Sequence, residues 1–236
     1  MKALLLRVGI DKGTDGALAP IFEDGSFEYI PISEDPDWKT TSTRTYSNTI
    51  GRTGKPISWY LPESIRNRLL HYDPEFTTFT YGDATPKREY LLRLKPNDML
   101  VFYAGLSPFM NDKQQSGLYI IGNFFIKEIV DFDKLPPRRA KECRQVYGGN
   151  AHLMANRTDR LVIAVGQPKA SGLLNRAILV SESKPDKKGR PNLVVSRRME
   201  SVLGIRGSIQ RSIPPRFITG KTHTDNLRKL ILFEGL

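Results

Sequence analysis

Residues 73–106 read DPEFTTFTYGDATPKREYLLRLKPNDMLVFYAGL, and the passage from polar loop to apolar strand within them decides the fold class. Aromatic and β-branched residues crowd positions 76–81, and Gly82-Asp83 supplies letters suited to a turn. Pro86 opens a short amphipathic helix with Tyr90, Leu91 and Leu94 on one side, which Lys95-Pro96-Asn97-Asp98 ends. Met99 to Tyr103 is a near-continuous apolar run, the pattern of a strand buried on both faces. Similar runs recur at Lys2–Val8, Gly117–Val130, Leu161–Val165 and Ala177–Val180, the second of them bent near Gly122. Helical patterns fall at 62–70, 135–147, Ser196–Leu203 and, capped by Thr224, Asp225–Phe233. The expected fold is therefore α+β: one domain over residues 1–236, with a mixed, curved sheet or partial barrel and four or five helices.

The 236 residues can bury a sizeable core, and a mean hydropathy of −0.38 with 39% apolar residues describes a globular chain. No apolar run approaches the roughly 18 residues needed to span a bilayer. MKALLLRVGID is interrupted by Arg7 and reads as a first strand rather than a signal peptide. These features lead to the expectation of a cytoplasmic protein. A single cysteine, Cys143, excludes an intrachain disulfide and a cysteine-rich zinc site; on an amphipathic helix its commoner role is packing.

The charge is unevenly distributed. Of the net +11, residues 1–133 hold 15 Lys/Arg against 18 Asp/Glu, net −3, and residues 134–236 hold 21 against 7, net +14. The basic half is a candidate polyanion surface, because neutralising phosphates releases counterions whatever the base sequence. A solvated face that confers solubility is the alternative.

Along the chain, Gly9 to Gly16 reads either as a phosphate-binding hairpin, with Asp11 and Gly13-Thr14 at its tip, or as a plain turn between strands. Residues 19–32 have the pattern of a hairpin at an antiparallel sheet edge, turning at Asp24-Gly25. Ser33 to Tyr60 lacks periodicity and is expected to be a long surface loop, with Arg44, Tyr46, Asn48, Arg52 and Lys55 available to a phosphate and Tyr46 or Trp59 to a base. His71 and Asp73 are spaced to orient one another for acid–base work, although a helix-terminal His more often meets the C-terminal dipole. Residues 183–192 have the letters of an exposed basic loop. Gly204 to Phe217 places Arg206, Arg211 and Arg216 among Ser208 and Gln210, a set of guanidinium forks and adaptable hydrogen-bonding groups suited to phosphate.

The three histidines, His71, His152 and His223, stand at no metal-ligand spacing with one another or with the cysteine, which argues against a zinc hydrolase or deaminase and leaves no histidine or cysteine metal-binding set legible. Carboxylates next to strands are more numerous, and Asp11, Asp73 and Asp83 are the candidates for catalysis, with Mg²⁺ as the cofactor such chemistry would use. Turns also favour Asp for local reasons.

Taken together, the segments RVGIDKGTDGALAPIFEDGSFEYIPI, DPEFTTFTYGD, LKPNDMLVFYAGL, GLYIIGNFFI and GSIQRSIPPRF resemble the third type of nucleotide modification associated domain, over nearly the whole chain. That resemblance implies a small α+β protein tied to systems that make, read or process modified bases. LKPNDMLVFYAG is also similar to the strand entry of base-binding barrels of the PUA, ASCH and EVE kind, with Asn97 in place of their usual glycine; asparagine tolerates the left-handed backbone such a turn uses.

The leading expectation is a protein directed at nucleic acid, DNA or RNA, that holds a nucleotide or modified base in a pocket near Asp11, Tyr81 and Tyr103. Arg206, Arg211 and Arg216 would grip phosphates, helped by Arg7, Arg44, Ser208 and Gln210, while Tyr81 or Tyr103 stacks and Asp73 or Asp83 meets a base edge. A metal-dependent nuclease or base-modifying enzyme using Asp11, Asp73 and Asp83, and a non-catalytic interaction module, are the two alternatives. Enzyme and reader both stay open.

Overall fold

Two long apolar segments build the axis of the fold. In the computed structural model, which describes residues 1–13, 15–185 and 188–235, Met99–Pro108 and Gly117–Asp131 pair antiparallel from Met99 opposite Phe125 to Leu106 opposite Gly117. Thr14 of the glycine-rich loop and Asp186 and Lys187 of the basic loop lie outside the described residues. In chain order the elements are β1 (Ala3–Arg7), β2 (Ala19–Ile21), β3 (Ile32–Ser33), β4 (Leu70–His71), β5 (Thr80–Asp83), α1 (Arg88–Leu91), β6 (Met99–Pro108), β7 (Gly117–Asp131), α2 (Pro137–Val146), α3 (Ala151–Met154), β8 (Val162–Gly166), β9 (Gly172–Leu179), β10 (Ser181–Pro185), β11 (Pro191–Val195), α4 (Arg197–Leu203), β12 (Arg216–Ile218) and α5 (Lys221–Glu234).

The main sheet runs β12-β1-β6-β7-β8-β5 and does not close. It is mixed because β1 and β2 lie end to end along one edge of β6, both parallel to it, whereas β8 and β9 lie end to end along β7, both antiparallel. A strand paired on both sides and covered on both faces must be apolar at nearly every position, and residues 99–106 are all buried. The register of β7 against β9 shifts between Ile120 and Gly122. At Gly122 a Cβ would stand 2.7 Å from the carbonyl oxygen of Gly172, so the close approach of the two backbones requires glycine there.

The aromatic loop of residues 76–81 serves the core. Phe76 packs 5.4 Å from Phe124 and 6.0 Å from Phe102, these two lie 4.8 Å apart edge to face, and Tyr81 lies 5.8 Å from Phe102. Each such pair adds about 1 kcal/mol beyond the apolar area it buries. A smaller cluster of Val130, Phe132, Cys143, Tyr147 and Ile163 sits under α2; Cys143 is buried there and burial pushes its thiol pKa up, the opposite of a reactive cysteine.

The α+β class, the open mixed sheet and the five helices among the described residues agree with the sequence pattern, and Asn97 takes φ +69 before β6. Four local expectations change. The expected hairpin of residues 19–32 reduces to a bridge between Ile21 and Phe27, because β2 pairs in parallel with β6 instead. Residues 62–70 hold only a single 3₁₀ turn, Glu63–Ile65, after which Leu70-His71 is a strand, so His71 has no helix dipole to meet. In the basic loop of residues 183–192, Ser183 to Pro185 and Pro191-Asn192 belong to the antiparallel ladder of β10 and β11. The last helix starts at Lys221 with Gly220 as its N-cap, and Thr224 Oγ1 donates back to the Gly220 carbonyl from inside the first turn. Among the described residues no helix is long and apolar enough to cross a membrane.

Candidate functional site

A cleft of about 330 Å³ opens where four segments distant in sequence meet: the end of β1, the β3–β4 ladder, β5 with the start of α3, and Arg211. The ladder pairs Ile32 with His71 and Ser33 with Leu70, which brings the segment after β3 beside β4. His71 Nδ1 thereby reaches Glu34 Oε1 at 3.0 Å. Two residues on, Asp73 is buried with Oδ2 accepting the Gly82 amide at 2.9 Å. The Asp73–Pro74 peptide is cis.

His152 arrives from the other direction. Asn150, wholly buried, caps α3 by accepting the His152 amide at 3.1 Å, and its Nδ2 reaches Thr80 Oγ1 at 3.3 Å and Asp73 Oδ1 at 3.4 Å. One asparagine thus fixes the helix start, the strand and the carboxylate relative to one another. Gly82 makes room: a Cβ there would lie 2.7 Å from His152 Cδ2. His152 Nε2 consequently stands 3.5 Å from Asp73 Oδ2, and His71 Nε2 stands 4.0 Å from the same oxygen. The two imidazole rings meet edge to face at 4.9 Å. Trp38 covers both, 5.5 Å from His71 and 5.6 Å from His152, with the Arg157 guanidinium over its ring at 4.4 Å.

Burial opposes the charged form of His71, but the Glu34 hydrogen bond and the charges of Asp73, Glu34 and Asp83 outweigh it and raise the imidazole pKa. Burial also raises the pKa of Asp73, against the pull of His152, His71 and the Gly82 amide. Asp83 accepts from Tyr81 at 3.0 Å and from the Thr85 hydroxyl at 2.5 Å. Buried beside these carboxylates, the Tyr81 phenol is held well above its ordinary range.

Three cations also line the cleft, Arg7, Lys87 and Arg211. Arg211 donates to Asp11 Oδ2 at 2.6 Å and Arg7 approaches the same oxygen at 3.5 Å, while Asp11 Oδ1 accepts the Gly13 amide at 2.8 Å. Burial works against the Asp11 carboxylate, yet Arg211, the Gly13 amide and Arg7 hold its pKa below the usual range. Arg211 reaches this place because Ile209 is fully buried and its carbonyl accepts the Tyr103 hydroxyl at 3.0 Å, anchoring the segment that follows α4 against β6.

Of the residues singled out in the sequence, Asp73, Asp83, Arg7, Tyr81 and Arg211 line the cleft. Asp11 stands behind it as the partner of two guanidinium groups, so Asp11, Asp73 and Asp83 each answer to a different set of neighbours. Tyr81 and Tyr103 are buried with their hydroxyls engaged, and Tyr46 is wholly buried with its hydroxyl on the Pro31 carbonyl. Arg44 lies over the Tyr72 ring. Arg52 donates to the Leu174 carbonyl. Arg206 approaches Glu200, Arg216 donates to the Arg206 carbonyl, and Ser208 bonds Asn192; none of these three, nor Gln210, lines the cleft. Glu34, Trp38 and Lys87 escaped sequence reasoning, and His71 and His152 were not joined. Nothing local signals a pair of histidines 81 positions apart; their scarcity, three in the chain, was the one available hint.

A second cleft, of about 570 Å³, lies between β7, the start of β9 and α5, lined by Asn97, Asn123, Phe125, Gln167, Leu173, Arg228 and Ile231 among others.

A family model described as nucleotide modification associated domain 3 matches residues 2–207. The match includes every residue lining the first cleft except Arg211, and it stops before most of the GSIQRSIPPRF segment. No curated protein and no solved structure matches the chain.

Proposed function

Because the chain belongs to the nucleotide modification associated domain 3 family, and so to proteins involved in nucleotide modification, we propose that its first cleft holds one nucleotide of a nucleic acid. The phosphate would sit toward Arg7, Lys87 and Arg211, and the base toward Trp38, the two histidines and the carboxylates of Asp73 and Asp83. One observation carries this reading: a single cleft is lined by three cations together with aromatic rings and buried hydrogen-bonding groups. Guanidinium forks match phosphate oxygens, and imidazole, indole and carboxylate groups suit the face and edge of a base.

Size supports one nucleotide rather than a duplex, since about 330 Å³ is near the lower end of the roughly 300–1,000 Å³ typical of small-ligand clefts. A base within a duplex would have to leave the stack to enter. The net charge of +11 supports attraction to the surrounding phosphate backbone.

Trp38 and Trp59 are the only tryptophans, and Trp59 is 60% exposed, so Trp59→Phe leaves the indole of the cleft as sole fluorescence reporter. Titration with nucleoside monophosphates and short single strands is expected to quench or shift that signal. The effect should weaken with salt and be reduced about tenfold or more in Arg211→Ala. Silence toward all of these ligands at low salt overturns the reading.

A further inference from the structure

We propose that His71, Asp73 and His152 form a binding site for one divalent first-row transition ion, with its remaining coordination positions turned toward the cleft. This goes beyond the nucleotide reading and does not rest on it.

One donor atom from each residue lies within 4.8 Å of the other two, and all three residues are buried. Metal–ligand bonds of about 2.0–2.1 Å place two ligands of a tetrahedral centre roughly 3.3 Å apart. The approaches of 3.5 Å and 4.0 Å to Asp73 Oδ2 are therefore close to that spacing.

The surroundings have the form of an outer shell. A metal on His71 Nε2 leaves the proton on Nδ1, which faces Glu34 Oε1 at 3.0 Å, the carboxylate–imidazole–metal relay that fixes tautomer and ring orientation. Gly82 and Asn150 hold the two oxygens of Asp73. His152 is 7% exposed and its Nδ1 has no hydrogen-bond partner among the described residues, so the polar engagement of this ring runs through Nε2, on the side of Asp73. Glu34 Oε2 is likewise buried with no partner among the described residues. Three carboxylates, of Glu34, Asp73 and Asp83, face two imidazoles in one cleft, and a dication offsets the cost of gathering that negative charge away from water.

The donor set selects the ion. Two imidazoles and one carboxylate suit zinc or ferrous iron, and leave positions free for water or substrate, whereas Mg²⁺ prefers oxygen ligands throughout. The Mg²⁺ expected from the carboxylates alone gives way here to a softer ion.

The test uses the full chain without a histidine tag, stripped with chelator and titrated with Co²⁺ and Zn²⁺. Uptake of one equivalent, visible as a Co²⁺ ligand-field band that Zn²⁺ displaces and Mg²⁺ does not, is the expected result. His152→Ala and Asp73→Asn should lose at least about 100-fold in affinity, and Glu34→Gln, which keeps all three ligands, about 10–100-fold. His223→Ala, whose ring bonds the Val202 carbonyl elsewhere in the fold, should bind like the parent. Circular dichroism reports folding; if Asp73→Asn fails it, His152→Gln and Glu34→Gln decide. The proposal is overturned if the parent takes up neither ion at micromolar concentrations, or if folded His152 variants bind as tightly as the parent. The first outcome makes the cluster a proton-sharing triad. Nucleotide titration of the stripped protein is read separately, so each of the two proposals stands or falls by its own measurement.

Discussion

Two clefts of this molecule differ in what fills their walls. The one between β7, β9 and α5 is larger, about 570 Å³ against 330 Å³, and is lined by amides and apolar side chains with Lys169 and Arg228 as its charges. The smaller is lined by two histidines, four carboxylates, three cations and an indole. Volume follows from how helices and strands happen to splay. A crowd of buried ionisable groups costs free energy that folding alone does not repay, so its persistence points to chemistry.

Asp73→Ala tests that contrast hardest. It leaves two imidazoles, an amide and the Asn150 side chain without their shared acceptor, and a loss of about 3 kcal/mol in urea unfolding is expected. In the larger cleft Gln167→Ala, which gives up a 3.0 Å bond to Asn97, should cost about 1 kcal/mol or less. Equal losses would break the comparison.

Glycine substitutions sharpen it further, because both clefts have glycine in their walls. A methyl group at Gly82 meets the His152 ring, and Gly82→Ala is expected to cost about 1–3 kcal/mol and to disturb the His152 resonances in NMR spectra. At Gly172 a Cβ meets nothing within 4 Å among the described residues, and Gly172→Ala should stay within about 0.5 kcal/mol of the parent. Binding follows the same division. Nucleotide affinity should fall about tenfold in Arg211→Ala and stay unchanged in Arg228→Ala, read by the Trp38 signal.

The smallest expected effect concerns pH. The folded pKa of Asp11 lies below its unfolded value, so its contribution to stability is present above about pH 4 and is lost as pH falls through the lower folded value. Arg211→Gln removes the leading favourable partner and should move the Asp11 carboxyl titration, followed by NMR, upward. The stability difference between variant and parent should shrink as the solution is acidified.

Much of the scaffold was legible because burial on both faces of a strand writes itself into consecutive residues, as at Met99–Tyr103 and Gly117–Val130. Ser196, which accepts the Met199 amide, was legible for the same local reason. The aromatic crowd at 76–81 divides in the fold: Phe76 packs against Phe102 and Phe124, whereas Tyr81 lines the cleft with its hydroxyl on Asp83. The guanidinium-rich stretch after α4 was recognised, yet Arg211 alone of its arginines turns into the cleft, since buried Ile209 sets its direction.

By itself the sequence determined the α+β class, the two axial strands, the basic second half and the family. The tertiary structure alone decided that His71, Asp73 and His152 share one space, with Glu34 behind and Trp38 above. The reason is physical. Strand and helix patterns arise from neighbours within a few residues, whereas this cluster depends on the β3–β4 register, on a glycine that leaves room for a ring, and on one buried asparagine joining three segments.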